Sequence, residues 1–133
     1  MFMKSKSLLV LTSSLLSAFV VFATSNGAWM EKVPQKERDK TNPYGSQADA
    51  VAAGQRIFHD HCAHCHGPDA EGTKKRPSLR TERVQQQATE GDLHWLLVNG
   101  DKSGMPTWSK LGDPQIWQVI TYVRSLKVEQ AAK

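Results

Sequence analysis

Two thiols three positions apart, with an imidazole directly behind the second, make up Cys62-Ala63-His64-Cys65-His66, and no other stretch of the 133 residues offers comparable chemistry. On a helical turn the spacing puts both sulfurs on one face and brings the ring of His66 beneath it. This is the C-x-x-C-H arrangement for covalent haem attachment: the thiols add across the two vinyl groups of one porphyrin, and the histidine ligates the iron from the proximal side.

Two plainer uses of the same residues compete with it. A disulfide across a three-residue step closes a very small loop and cross-links nothing distant. A zinc site draws support from the crowding of His59, His61, Cys62, His64, Cys65 and His66 into one octet. Structural zinc usually takes its ligands from two separated pairs, however, and the chain holds only two cysteines.

The beginning of the chain does not belong to the domain that carries this motif. Lys4 and Lys6 precede an apolar run from Leu8 to Ala23, the pattern of a secretory signal. Cleavage is expected after Ala23, with Ala28 as the later choice, making residues 1–23 a signal peptide. The run is short of the roughly 20 apolar residues a membrane span needs, so a soluble, periplasmic protein is expected, with retention as an anchor the alternative. Cleavage removes two lysines and no acid, lowering the formal charge from +4 to +2. Such a nearly balanced chain lacks the basic stripe of a nucleic-acid binder.

Residues 24–45 read as a flexible arm. From Glu31 to Tyr44 the chain is charged, carries Pro34 and Pro43 and has too little apolar surface to order itself. An ordered strap is the alternative, because Trp29, Val33 and Tyr44 can each fill a groove. Residues 46–128 form the single domain, of about 85 residues and without a large core of its own; a tethered porphyrin would supply much of that core. Residues 129–133 should fray.

Within the domain, Ser46 resembles an N-cap, and Val51, Gly54, Phe58 and Cys62 recur on one helical face that delivers the haem motif. Gly54 costs about 1 kcal/mol in a helix interior and so marks a close helix crossing. Gly67, Pro68 and Gly72 open an irregular stretch through Arg83 that contains Lys74, Lys75 and Arg76, either a solvated loop or a rim that attracts an acidic partner. Thr89-Glu90-Gly91-Asp92 reads as a capping box before a helix with Leu93, Leu96 and Leu97 on one stripe, ending at Asn99-Gly100. Trp95 is expected in the core. Asp113-Pro114 starts the last helix, with Asp113 as cap; Ile116, Val119, Ile120, Val123 and Leu126 form its buried stripe, and Trp117 and Tyr122 flank it.

If the iron takes a thioether as its second axial ligand, Met105 in Gly104-Met105-Pro106 is the plausible donor, since the other methionine beyond the signal, Met30, lies in the arm. A gap-filling Met105 and a rival ligand in His94 remain open alternatives.

With these residues in place, Ser46 to Lys127 resembles a small soluble class I c-type cytochrome. The resemblance rests on the Gly54 and Phe58 helix, the Cys62-Cys65-His66 motif, Met105 in its Gly-Met-Pro loop and a terminal helix bearing Trp117 and Tyr122. It implies an all-α cytochrome c fold of three to four helices around one covalently attached haem c. Its N- and C-terminal helices would cross so that Gly54 and Phe58 meet Val119 and Tyr122. It also implies that the carbonyl of Pro77, in Pro77-Ser78-Leu79, accepts a hydrogen bond from the proximal imidazole and so orients His66. The glycine common before that proline is Arg76 here.

The Asn42-Pro43 entry, the Ala70-Glu71-Gly72 turn and the Met105-Pro106-Thr107-Trp108 segment are further similar to periplasmic cytochromes that take electrons from quinoprotein alcohol dehydrogenases. With His66 and Met105 both on the iron, no position is left for a substrate, and the chain is expected to carry electrons rather than catalyse. It would pass between a donor dehydrogenase and an acceptor oxidase or cytochrome as a monomer, with Lys74, Lys75 and Lys102 around the electron port. A five-coordinate haem sensor or small peroxidase, in which Met105 does not bind, is the rival reading, and a zinc-binding module the third.

Overall fold

The computed structural model describes residues 27–128; the expected signal peptide and the tail from residue 129 lie outside the described residues. The fold is built from five α-helices: α1 (Gln35–Arg38), α2 (Ala48–His61), α3 (Ala63–His66), α4 (Glu90–Asn99) and α5 (Asp113–Ser125). Among the described residues there is no strand, only an isolated bridge between Asp101 and Met105. No helix among them is long and apolar enough to cross a membrane.

The central crossing is that of α2 on α5. A Cβ on Gly54 would sit 1.9 Å from the carbonyl oxygen of Gln118 and 2.9 Å from Cβ of Tyr122, so only a residue without a side chain lets the backbones approach this closely. One turn on, Phe58 is fully buried and meets Tyr122 with ring centroids 5.2 Å apart. Phe58, Cys62, Val119, Tyr122 and Val123 form one cluster of the core. A second is built from Leu93, Ile116, Trp117 and Ile120. Trp117 and Tyr122, expected at the flanks of α5, are therefore core residues at 7% and 6% exposure. The reason is that α5 buries two faces, not one stripe.

The segment 27–45 departs from the expected unpacked arm. It runs as an ordered strap across α4 and α5, the alternative left open by its aromatic residues. Val33 is buried, while Trp29 and Tyr44 pack against the second cluster. Backbone rather than apolar bulk docks it: a Cβ on Gly91 would lie 2.1 Å from the carbonyl oxygen of Glu37. The Thr89 hydroxyl donates to the Arg38 carbonyl at 3.1 Å. Arg38 Nε lies 3.2 Å from the buried carboxylate of Asp92, an approach of charges without hydrogen-bond alignment. Asn42, 5% exposed, donates through its amide to Thr121 Oγ1 at 2.9 Å and to the Trp117 carbonyl at 3.3 Å. Composition hid this strap because its anchors are polar atoms whose partners lie far along the chain.

Local signals fared unevenly at the helix ends. The capping box at Thr89 is complete: Asp92 N–H donates to Thr89 Oγ1 at 3.0 Å and Thr89 N–H to Asp92 Oδ2 at 2.8 Å. The start of α2 falls one residue later than expected, with Gln47 rather than Ser46 as the cap and no side-chain bond. At α5 the cap is Gly112, and Asp113 enters the first turn. Between Arg83 and Gln87 the chain forms a π-helical turn where an irregular stretch was expected to end.

Candidate haem site

The haem motif sits where α2 gives way to α3. Cys62 occupies the junction with φ −113°, its N–H donating to the Phe58 carbonyl at 2.7 Å, and α3 then carries Cys65 and His66. The two thiols are not bridged to each other. Cys62 is buried, and burial first, then the neighbouring Cys65, pushes its thiol up to about 11, so it stays protonated at neutral pH. Cys65 is exposed.

His66 Nδ1 lies 2.9 Å from the carbonyl oxygen of Pro77. A carbonyl only accepts, so Nδ1 carries the proton and the lone pair of the neutral ring is left on Nε2. Burial holds the imidazole below its ordinary pKa, partly offset by the bond to Pro77 and reinforced by the positive charge of Arg76. The ring is thereby kept in the form a metal binds, and aimed. Its supporting loop is tied down on both sides: Leu79 N–H donates to the Ala70 carbonyl at 2.9 Å, and the Thr73 hydroxyl to the Cys65 carbonyl at 3.2 Å.

Met105 stands on a separate loop after α4. Asp101 N–H donates to the Met105 carbonyl at 2.9 Å and Gly104 N–H to the Asp101 carbonyl at 3.0 Å, closing the loop on itself. Met105 is half-buried and lines a groove of about 380 Å³ together with Trp29, Trp95 and Lys102. Trp95 is thus a groove wall and only half-buried, rather than the core aromatic expected. Two contacts set this loop against the haem motif. His61, last residue of α2, meets Trp108 with ring centroids 5.5 Å apart. Arg76 donates to the carbonyls of Ser103 and Gly104 at 3.0 and 3.3 Å.

His94, the rival ligand, is occupied elsewhere. Its Nε2 lies 3.0 Å from Asp113 Oδ1 and its ring stacks on Trp117 with centroids 4.3 Å apart. It packs against the second cluster at the start of α5, and Asp113 pairs with it instead of capping. The zinc reading also loses its geometry: among the described residues no three His, Cys, Asp or Glu side chains converge as metal ligands.

The donor set fits a haem. Two thiols in one turn suit two thioether links, and a neutral histidine with its Nδ1–H engaged suits the proximal position. A helical shell closed by the α2–α5 crossing around such a motif defines a class I c-type cytochrome, and its two cysteines, Cys62 and Cys65, carry a single haem c.

Comparison with known proteins places it more narrowly. The family described as cytochrome c oxidase, cbb3-type, subunit III, matches residues 49–123, and the chain belongs to that family. It is 34% identical over 95 residues to the cbb3-type cytochrome c oxidase subunit FixP of Sinorhizobium medicae, covering 61% of this chain and 29% of that protein. To the subunit CcoP of Rubrivivax gelatinosus it is 34% identical over 79 residues, 58% of this chain and 26% of the relative. The chain therefore spans under a third of the length of these relatives.

Among solved structures it is similar to cytochrome cL of Methylophaga aminisulfidivorans, with TM-score 0.56 and 27% identity over 64% of this chain and 58% of the other. Cytochrome cL of Hyphomicrobium denitrificans shares the fold, with TM-score 0.57 and 21% identity over 74% and 66% of the two chains.

Sequence reasoning singled out Cys62, Cys65, His66 and Pro77, and the structure places the first three on one turn with Pro77 against His66. It missed Arg76, whose contacts lie 27 and 28 residues along the chain, because a cation in a run of three gives no local sign of a distant carbonyl partner.

Proposed function

We propose that the protein is a periplasmic carrier of single electrons whose iron is held between His66 and Met105. The observation that carries this reading is the hydrogen bond from His66 Nδ1 to the Pro77 carbonyl, which frees Nε2 for a metal and sets the ring's direction. Haem c, when bound, supplies one redox-active iron. The chain's part would be to tether it through Cys62 and Cys65, to offer His66 Nε2 and the Met105 thioether as iron ligands, and so to leave no position for another ligand. Methionine as the distal ligand favours the ferrous state and raises the potential.

A donor dehydrogenase of the quinoprotein alcohol dehydrogenase class is the partner the sequence resemblance favours, and the likeness to cytochrome cL structures supports it. An oxidase or another cytochrome accepts the electron. Lys74, Lys75 and Lys102 are all exposed on the two loops that face each other through Arg76, and they steer an acidic partner in brief encounters of modest area.

The ligand set is tested with Met105→Ala. The ferric wild type should show the weak far-red charge-transfer band of a histidine–methionine iron and refuse carbon monoxide when reduced, and the variant should lose the band and take up the gas. An unchanged spectrum in Met105→Ala would refute methionine ligation, and uptake of carbon monoxide by the wild type would favour the five-coordinate reading. For the partner surface, replacing Lys74, Lys75 and Lys102 by Gln should flatten the salt dependence of electron transfer from an acidic dehydrogenase.

A further inference from the structure

Arg76 is the residue at which this chain departs from the glycine common before the proline of Pro77-Ser78-Leu79, and its side chain crosses from one ligand's loop to the other's. Its base is fixed on the proximal side. Thr73 N–H donates to the Arg76 carbonyl at 2.9 Å and Arg76 N–H returns to the Thr73 carbonyl at 3.3 Å, while the Thr73 hydroxyl holds the Cys65 carbonyl. The carbonyl of the next residue, Pro77, accepts the hydrogen bond from His66 Nδ1–H. Its head is fixed on the distal side: Nη1 donates to the Ser103 carbonyl at 3.0 Å and Nη2 to the Gly104 carbonyl at 3.3 Å, on the two residues directly before Met105. The fit is tight, since a Cβ on Gly104 would lie 2.8 Å from Nη2.

We infer that Arg76 is a positioning residue, a brace that holds the Met105 loop closed against the loop supporting His66 and so limits how often Met105 leaves the iron. This rests on Met105 being the distal ligand. A planar guanidinium offers N–H donors on two nitrogens at a fixed spacing to two adjacent carbonyls, a fork that the freely rotating ammonium of lysine does not reproduce. The two carbonyls it holds are backbone, so the brace fixes the course of the loop rather than the rotamer of one side chain. The loop's own closure, from Asp101 N–H to the Met105 carbonyl, makes it move as one piece.

The test is the affinity of the ferric, haem-loaded protein for imidazole, an outside ligand that enters only when Met105 is released. Its apparent affinity therefore scales with the released fraction. Arg76→Gln should bind imidazole about tenfold more tightly than the wild type, the effect of losing roughly one charge-assisted hydrogen bond, while keeping the far-red band in the absence of imidazole. Arg76→Lys should lie nearer to Arg76→Gln than to the wild type.

If Arg76→Gln matched the wild type in imidazole affinity while Met105→Ala lost the band, the brace would be refuted and the ligand reading would stand. If Met105→Ala changed neither band nor affinity, the ligand reading itself would fall. An Arg76→Lys protein indistinguishable from the wild type would make the effect one of charge alone and overturn the brace. A lowered melting temperature with unchanged imidazole affinity would likewise reduce Arg76 to a structural role.

Discussion

Pro77 and Gly54 show how much a single backbone atom decides in this protein. The Pro77 carbonyl gives His66 its tautomer and its aim, and with His66 on the iron, as proposed, the electron density it lends the ring would stabilise the ferric state. Pro77→Ala, which loosens that carbonyl, should raise the midpoint potential by up to about 60 mV, the equivalent of a tenfold change in a one-electron equilibrium. Potentiometric titration of the reduced spectrum measures it. At Gly54 the partner is the Gln118 carbonyl, which a Cβ would meet at 1.9 Å. Alanine is the better helix former, yet Gly54→Ala should cost about 2–3 kcal/mol, because overpacking at a backbone contact outweighs the propensity gain of roughly 1 kcal/mol. Guanidinium unfolding of the haem-loaded variant reads this directly, and a stabilised variant would mean the helices are free to separate.

The elements were legible in proportion to how local their causes are. Helix α2 shows its apolar face at three- and four-residue steps, and α4 its capping box, and both appear where periodicity and caps put them, within a residue. The motif at Cys62, Cys65 and His66 is five residues long and was readable in full. The strap was not, since it is held by Asn42, Arg38 and the bare backbone at Gly91, whose partners are distant in sequence and polar. Met105 lies between these cases: its candidacy came from elimination, but the Arg76 contacts that set its loop against the haem motif had no local signature. Asn42 offers the sharpest test of the strap. Asn42→Ala should destabilise the protein by about 2 kcal/mol, because it removes the buried amide's bonds to the Thr121 hydroxyl and the Trp117 carbonyl and leaves the Tyr44 N–H without its Oδ1 acceptor, and thermal unfolding with unchanged visible spectrum should show it.

At the scale of the whole molecule, α5 is shared between two clusters that do different work. Val119, Tyr122 and Val123 face the Phe58 and Cys62 side, whereas Ile116, Trp117 and Ile120 face the side closed by the strap and by His94. The first side carries Cys62, one of the two haem-tethering thiols, whereas the second contains no residue of the haem motif. Stability is then unevenly spread, as it is in domains that open by parts. A chain with both cysteines replaced by alanine, and so without the tethered pigment, should retain slow amide exchange around Leu93, Trp117 and Ile120 and lose it from Ala48 to His66. Maturation would accordingly meet a half-built scaffold: a finished wall standing ready, with the facing wall raised only once the tetrapyrrole is in place.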